Sequence, residues 1–372
     1  MKVGIITIHK IINYGSALQA YALQQFLEMH MGNDVEIIDY KFPNSYHRSI
    51  RYKGLKRLKM KVHDFKTNLP FVNHAEKKSF RLFWKCFFHL TPLYKDQKAL
   101  WESHLTYDVY LTGSDQVWNT NTLCGDTVMM LDFAPRGSRK FAYGASFTTT
   151  TLDINYTDIF KKYLLQYERI GVREASAINI LKDLGCHQSA EVVCDPTLLL
   201  TRAEYLPVIE KSRVSIPESP YILVYYLEYA FNPMPVILEV VNKIYKKYGY
   251  EVVFIDNAIN GFRGKNIIIK GIGPCEFADL FYHAAFVVTS SFHGTAFSLI
   301  NRKPFYSIAP KSKDSRISDL LKSIGLQSRI AYTDEKFCID SNQDIYTAEV
   351  ENAISTLRQK SINFLKKINE HD

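Results

Sequence analysis

The chain has 372 residues, enough for two domains at about 150 residues each. Hydrophobic residues make up 47% and charged residues 23%, which excludes a largely disordered, collagen-like or coiled-coil chain. The apolar runs are too short for a membrane span or signal peptide, and six scattered cysteines without a CxxC pair exclude a zinc ribbon or disulfide framework. The scattered cysteines lead us to expect a cytoplasmic protein with free thiols. The net charge of +8 comes without a nucleic-acid-binding motif, so we expect no nucleic-acid partner.

Strand and helix patterns alternate through the first half of the chain. The first helix is predicted from Ser16, as its N-cap, to Met31, and another helix from Glu174 to Leu184. The strands are predicted at Val3–Ile8, Val35–Tyr40, Tyr107–Thr112, Lys140–Ser146, Arg169–Val172 and Val192–Cys194.

Residues 44–100 interrupt this alternation as a helical insertion. Between Arg48 and Lys66 there are eight basic residues against one acid, and apolar residues recur at spacings of three and four, which predicts an amphipathic basic helix. A second stripe is aromatic: Phe80, Phe83, Trp84, Phe87 and Phe88. Both stripes either pack on the protein, or form a surface for anionic lipid or a lipid-linked phosphate at the inner face of the membrane.

A proline-containing stretch from Thr201 to Pro220 is the predicted linker, and the alternation resumes after it. Strands are predicted at Tyr221–Leu227, Glu251–Ile255, Asn266–Lys270, Phe286–Thr289 and Pro304–Ile308. Helices are predicted at Met234–Tyr248, Pro274–His283, Gly294–Asn301, Ser315–Ile324 and Ala348–Lys367. Such alternation predicts an α/β fold of two Rossmann-like domains facing a cleft, residues 1–200 and 220–345, followed by a C-terminal helix in 346–372.

Ligands of open α/β sheets bind beyond the carboxyl ends of the strands, and polar residues gather at these points. In the first half these are Asn13, Tyr14, Gly15, Ser16, Ser114, Asp115, Asn119 and Arg173. In the second half, Ser290, Ser291, His293, Gly294 and Thr295 open a helix, where N–H groups and the helix dipole favour an anion. Alternatively, the hydroxyls only cap that helix, His293 is a satisfied core histidine, and Asp115 and Asp195 cap turns.

The ordered motifs resemble the polysaccharide pyruvyl transferase family over about residues 1–330. They are Asn13-Tyr14-Gly15-Ser16, Gly113-Ser114-Asp115-Gln116-Val117-Trp118-Asn119, Tyr143-Gly144-Ala145-Ser146, Val172-Arg173-Glu174, Asp195-Pro196-Thr197, Ser291-Phe292-His293-Gly294-Thr295 and Lys303-Pro304-Phe305. The resemblance implies a GT-B-like fold and transfer of a pyruvyl group from phosphoenolpyruvate to a sugar as a ketal. The acceptor is then a bacterial surface polysaccharide or its lipid-linked oligosaccharide precursor.

The resemblance also implies roles for individual residues, with neither a cofactor nor a metal. His293 is the expected general acid or phosphate partner and Asp115 the expected base. Donor contacts are expected from Arg173, Ser290, Ser291, Gly294, Thr295, Lys303 and Arg316, and acceptor contacts from Asn13, Tyr14, Gly15, Ser16, Ser114 and Asn119. Many members carry an Arg two residues before this His; here the position is Ser291, and Arg316, Lys303 or Arg302 could replace the missing cation.

Two other functions fit the same architecture. A GT-B glycosyltransferase would use a nucleotide sugar and bind its ribose through an acid such as Glu276 or Asp279. A non-catalytic glycan-binding module would need neither donor.

Overall fold

The structure, a computed structural model, describes residues 1–41, 73–123, 126–186, 189–228, 231–311, 316–339 and 344–370. The predicted basic helix at residues 48–66 lies outside these ranges. Within them, no helix is both long enough and apolar enough to cross a membrane.

The strands of the described ranges form two parallel six-stranded sheets. The first sheet contains β1 Lys2–Ile6, β2 Asp34–Ile37, β3 Val109–Thr112, β4 Arg139–Ala145, β5 Arg169–Val172 and β6 Ala190–Val192. The second contains β7 Tyr221–Tyr225, β8 Glu251–Ile255, β9 Asn266–Ile269, β10 Phe286–Thr289, β11 Phe305–Ala309 and β12 Ile330–Tyr332. Their orders are β2-β1-β3-β4-β5-β6 and β12-β11-β10-β7-β8-β9. The first strand of each sheet in chain order, β1 or β7, therefore lies between two other strands.

The central strands are apolar on both faces, as expected for parallel strands covered by helices. Every residue of β3, β7 and β10 is buried. The main helices are α1 Tyr14–Met31, α2 His74–Phe87, α3 Gln97–Trp101, α4 Thr120–Leu123, α5 Ile154–Leu164, α6 Ser176–Asp183, α7 Leu206–Ile209, α8 Val236–Tyr248, α9 Pro274–His283, α10 Phe292–Ile300, α11 Arg316–Ser323 and α12 Ala348–Lys366.

Two compact units divide the chain. The first unit holds residues 1–74, 81–199 and 358–372, and the second holds 75–80 and 200–357. The first unit therefore contains the sheet β1–β6, and the second contains the sheet β7–β12.

The aromatic stripe of the insertion packs on the protein. The ring centroids of Phe83 and Phe87 in α2 lie 6.0 and 5.4 Å from that of Tyr21 in α1. At the end of α2, Gln24 donates a hydrogen bond to the carbonyl of Phe87 and accepts one from the N–H of His89. The aromatic part of the insertion thus completes the core of the first unit.

Local details differ from the predicted pattern. The N-cap of α1 is Asn13 and not Ser16, because the Asn13 side chain accepts the Ser16 N–H at 3.0 Å. Strand β6 ends two residues before the predicted Cys194, and the linker holds the short helix α7. Strand β12 was not expected, since three residues show too little periodicity to mark a strand.

Candidate active site

Asp115 lies beyond the carboxyl end of β3, in a turn with a positive backbone φ of 80°. Its Oδ2 atom accepts a hydrogen bond from Ser16 Oγ at 2.5 Å, and its Oδ1 atom accepts one from the N–H of Gln116 at 2.9 Å. A non-glycine residue in this region costs about 1–3 kcal/mol and is typical of functional sites. The predicted base therefore lies in a braced turn, and the predicted acceptor residue Ser16, in the first turn of α1, is hydrogen-bonded to it.

Arg173 follows β5, and its guanidinium lies between two carboxylates. Its Nη1 atom is 2.7 Å from Asp195 Oδ2, and its Nη2 atom is 3.7 Å from Asp115 Oδ1. Burial alone lowers the pKa of Arg173, but the carboxylates of Asp195, Asp115 and Glu174 outweigh burial and raise that pKa above its usual value. The side chain is a fixed positive charge beside the predicted base, and its expected donor contact stays a prediction.

Sequence reasoning gave no site role to Asp195 or Glu174. Asp195 binds Arg173 through Oδ2, and its Oδ1 atom accepts hydrogen bonds from the N–H and the hydroxyl of Thr197 at 3.0 and 2.7 Å. It thus both caps its turn, as one reading expected, and neutralises a buried arginine. Both acids closely follow strands of the first sheet, β5 and β6, and this position could have marked them in the sequence as candidate site residues.

The other predicted acceptor residues of the first unit lie at the same edge of the sheet. Tyr14 and Gly15 are buried in the first turn of α1, behind the cap Asn13. Ser114 Oγ donates to the carbonyl of Gly144 at 2.9 Å. The Asn119 amide donates to Gln116 Oε1 at 3.0 Å. Ser114 and Asn119 therefore also brace the loop that carries Asp115.

The hydroxyls at the start of α10 are bonded within the second unit. Ser291 caps the helix by accepting the Gly294 N–H at 3.4 Å, and the Thr295 hydroxyl donates to the Ser291 carbonyl at 3.1 Å. Ser290 Oγ accepts the N–H of Leu227 at 2.8 Å and lies 3.1 Å from the carbonyl of the same residue. The capping interpretation is therefore correct for Ser291, whereas Ser290 is bonded to Leu227 and the Thr295 hydroxyl to a carbonyl of the same turn.

His293 and Arg316 both lie by the N-terminus of α10. His293 is the second residue of α10 and is 9% exposed, and its ring centroid lies 5.4 Å from that of Phe292. Arg316 is the first residue of α11, and its guanidinium carbon lies 5.6 Å from the centroid of the same Phe292 ring. His293 and Arg316 thus both lie near the Phe292 ring, at a helix N-terminus whose dipole favours an anion.

Lys303 and Arg302 lie at the other end of α10. Both come between α10 and β11, so the length of α10 puts them about 13 Å away from its first turn. Arg302 pairs with both carboxylate oxygens of Glu351, at 2.5 and 2.7 Å. Burial and the nearby charge of Arg202 lower the pKa of Lys303 to about 8. Of the three candidate replacements for the missing arginine, the structure places Arg316 next to Phe292, the residue before His293, and the other two at the far end of α10.

The two acids proposed for a nucleotide ribose lie in α9, and each already has partners in the second unit. Glu276 accepts the N–H groups of Gly273 at 2.9 Å and Arg213 at 3.3 Å, one on each carboxylate oxygen. Asp279 pairs with His283 one turn further along, at 2.9 Å. Within the described ranges, no group of three His, Cys, Asp or Glu side chains has the arrangement of a metal site.

Comparison with known proteins identifies one family. The family model described as polysaccharide pyruvyl transferase matches residues 13–312. No protein with a curated description matches the chain.

Two solved structures align with nearly the whole chain at low sequence identity. A Listeria monocytogenes protein provisionally designated a UDP-N-acetylglucosamine 2-epimerase is 11% identical with a TM-score of 0.53, and the match covers 98% of this chain and 88% of that one. The UDP-GlcNAc 2-epimerase of Methanocaldococcus jannaschii is 14% identical with a TM-score of 0.47, and the match covers 96% and 93%. The first match, with the two parallel sheets, confirms the predicted α/β fold of two GT-B-type, Rossmann-like domains.

Proposed function

The chain belongs to the polysaccharide pyruvyl transferase family, and on that premise we propose that phosphoenolpyruvate is its pyruvyl donor and a ketal its product. The acceptor is a sugar of a bacterial surface polysaccharide or of its lipid-linked precursor. The basic segment at residues 48–66 then draws the enzyme to the anionic membrane face that carries such a precursor.

The observation that carries this proposal is the group of His293, Arg316 and the N-terminus of α10. Phosphoenolpyruvate has a phosphate and a carboxylate, and both need positive partners. The helix N-terminus binds one anionic group and the Arg316 guanidinium binds the other, while His293 lies within the same turn. Arg316 thereby supplies the charge that other family members place at the position of Ser291.

The reaction proceeds by addition and elimination at one carbon. His293 delivers a proton to the methylene carbon of the donor, which makes the adjacent carbon electrophilic. A sugar hydroxyl attacks that carbon, and we assign the acceptance of its proton to Asp115. Phosphate then leaves with its bonding electrons, the second hydroxyl of the sugar closes the ring, and its proton goes to the departing phosphate or to solvent.

A thermal-shift experiment tests the donor. Phosphoenolpyruvate should raise the Tm of the wild-type protein, while UDP should not, because binding to the folded state alone stabilises it. The variant His293→Ala should lose the response, and Lys303→Met, at the far end of α10, should keep it. A shift with UDP and none with phosphoenolpyruvate would replace this proposal with glycosyl transfer.

A further inference from the structure

Glu174 is a buried acid next to the candidate base, and it belongs to neither the donor nor the acceptor residues described above. Only 4% of the residue is exposed. Its Oε1 atom accepts three hydrogen bonds from consecutive residues, from Ser146 Oγ at 2.7 Å, the Phe147 N–H at 3.0 Å and the Thr148 N–H at 3.3 Å. Among the described residues, nothing donates to its buried Oε2 atom.

The segment that Glu174 holds, Ser146 to Thr148, follows β4 in an unfavourable conformation. Thr148 has a positive φ of 61°, which a β-branched residue adopts rarely and at a cost. A single carboxylate oxygen with three donors offsets such a cost, since hydrogen bonds to charged groups are stronger than neutral ones. The shape of this segment therefore depends on Glu174.

The same segment fixes the backbone of Asp115. The Ser146 N–H donates to the Asp115 carbonyl at 3.1 Å, and the Trp118 N–H donates to the Ser146 carbonyl at 3.2 Å. Asp115 itself has the positive φ described above, so its turn also requires support from outside. A continuous set of hydrogen bonds leads from Glu174 through Ser146 to the turn that aims the Asp115 carboxylate at Ser16.

We propose that Glu174 is a positioning residue, which orients the Asp115 carboxylate by holding the segment Ser146–Thr148 against the turn after β3. We assign it no contact with substrate, because its Oε1 atom accepts three hydrogen bonds and its Oε2 atom is buried. The effect on catalysis rests on the proposed role of Asp115 as base. The effect on the Asp115 turn does not.

The test compares three variants of the full chain. Glu174→Ala removes the acceptor, and Glu174→Gln retains an acceptor oxygen for the same three donors without the charge. Glu168→Ala, which breaks a half-exposed pair with Arg139 in the same unit, is the control. Hydrogen exchange followed by mass spectrometry reports on the amides of Phe147, Thr148 and Trp118. Phosphate release from phosphoenolpyruvate with a lipid-linked oligosaccharide extract reports on catalysis.

We expect Glu174→Ala to lose amide protection at Phe147, Thr148 and also Trp118, which Glu174 does not touch. Its kcat should fall roughly 100-fold with an unchanged KM for phosphoenolpyruvate, because an error of about 1 Å in a reacting group has that effect. Glu174→Gln should keep the protection and lose kcat by less than about tenfold, since neutral hydrogen bonds have roughly half the strength of charged ones. Glu168→Ala should match the wild type in both measurements.

Two results would overturn the inference. Unchanged protection of Trp118 in Glu174→Ala would show that Glu174 does not order the Asp115 turn, and an inactive Glu174→Gln with normal protection would assign Glu174 a chemical role. If Glu174→Ala does not fold, Ser146→Ala tests the same link by removing the side-chain donor alone. A wild-type protein that releases no phosphate would refute the proposed function, and the exchange data would still decide the link from Glu174 to Asp115.

Discussion

Removal of the Asp195 carboxylate should destabilise the first unit far more than removal of an exposed acid. The side chains of Arg173 and Asp195 are 1% and 0% exposed, so Asp195→Ala leaves a buried guanidinium with two nearby carboxylates, Asp115 at 3.7 Å and Glu174. Breaking a buried ion pair costs about 3–5 kcal/mol, and these two carboxylates place the expected loss near the lower end, at about 3 kcal/mol. A unit of this size loses about 2–4 °C of Tm per kcal/mol, so the Tm of the first unit should fall by roughly 6–12 °C.

The matched control is Glu168→Ala, which breaks the half-exposed pair with Arg139 in the same unit. Exposed pairs contribute about 0–1 kcal/mol, so this Tm should fall by less than about 4 °C. Differential scanning calorimetry measures both variants, and Asp195→Asn shows how much of the loss is due to charge, because it keeps an oxygen for Thr197. A fall in Asp195→Ala no larger than that in Glu168→Ala would refute the reasoning about the buried pair.

Three further predictions concern α10 and residues near its two ends. A methyl group at Gly294 would lie 2.3 Å from Thr289 Oγ1, so Gly294→Ala should lose about 1–3 kcal/mol in thermal unfolding despite its better helix propensity. The added change Thr289→Ala removes that hydroxyl, and strictly additive losses would contradict the clash. Arg316→Ala should raise the KM for phosphoenolpyruvate roughly 10- to 100-fold, the loss of a charged hydrogen bond, whereas Lys303→Met should leave it unchanged. The pKa of Lys303 is about 8 in the folded protein against 10.5 ordinarily, so the unfolded chain binds more protons between those values and stability should rise with pH there. Lys303→Met should remove that rise and raise the Tm at pH 7, and an equal slope in both proteins would show that Lys303 is not buried in this way.

Much of the fold was predictable because apolar periodicity is local. Short apolar runs bounded by turns marked the central strands, and the alternation with helices implied parallel sheets. Details decided by competition between neighbours were not predictable in the same way. Asn13 and Ser16 are both good N-caps, and the sequence does not show at which of the two the helix begins.

The candidate site was predictable where it depends on strand ends alone. Asp115 and His293 follow strands and open turns, and this selected them from the sequence. The partner of Arg173 is 22 residues away, at Asp195, and only the order β4-β5-β6 brings the two together. Lys303 comes just before β11 and Arg316 follows it, so the direction of this strand separates the two residues. By residue type alone, either could supply the positive charge.

The most direct test of the central claim is release of inorganic phosphate from phosphoenolpyruvate, with and without a lipid-linked oligosaccharide extract. We predict release only with the extract, with a pyruvyl ketal on the oligosaccharide detected by mass spectrometry, and loss of both in His293→Ala. Phosphate release that does not need the extract, or an extract left unmodified while a nucleotide sugar is consumed, would contradict pyruvyl transfer from phosphoenolpyruvate.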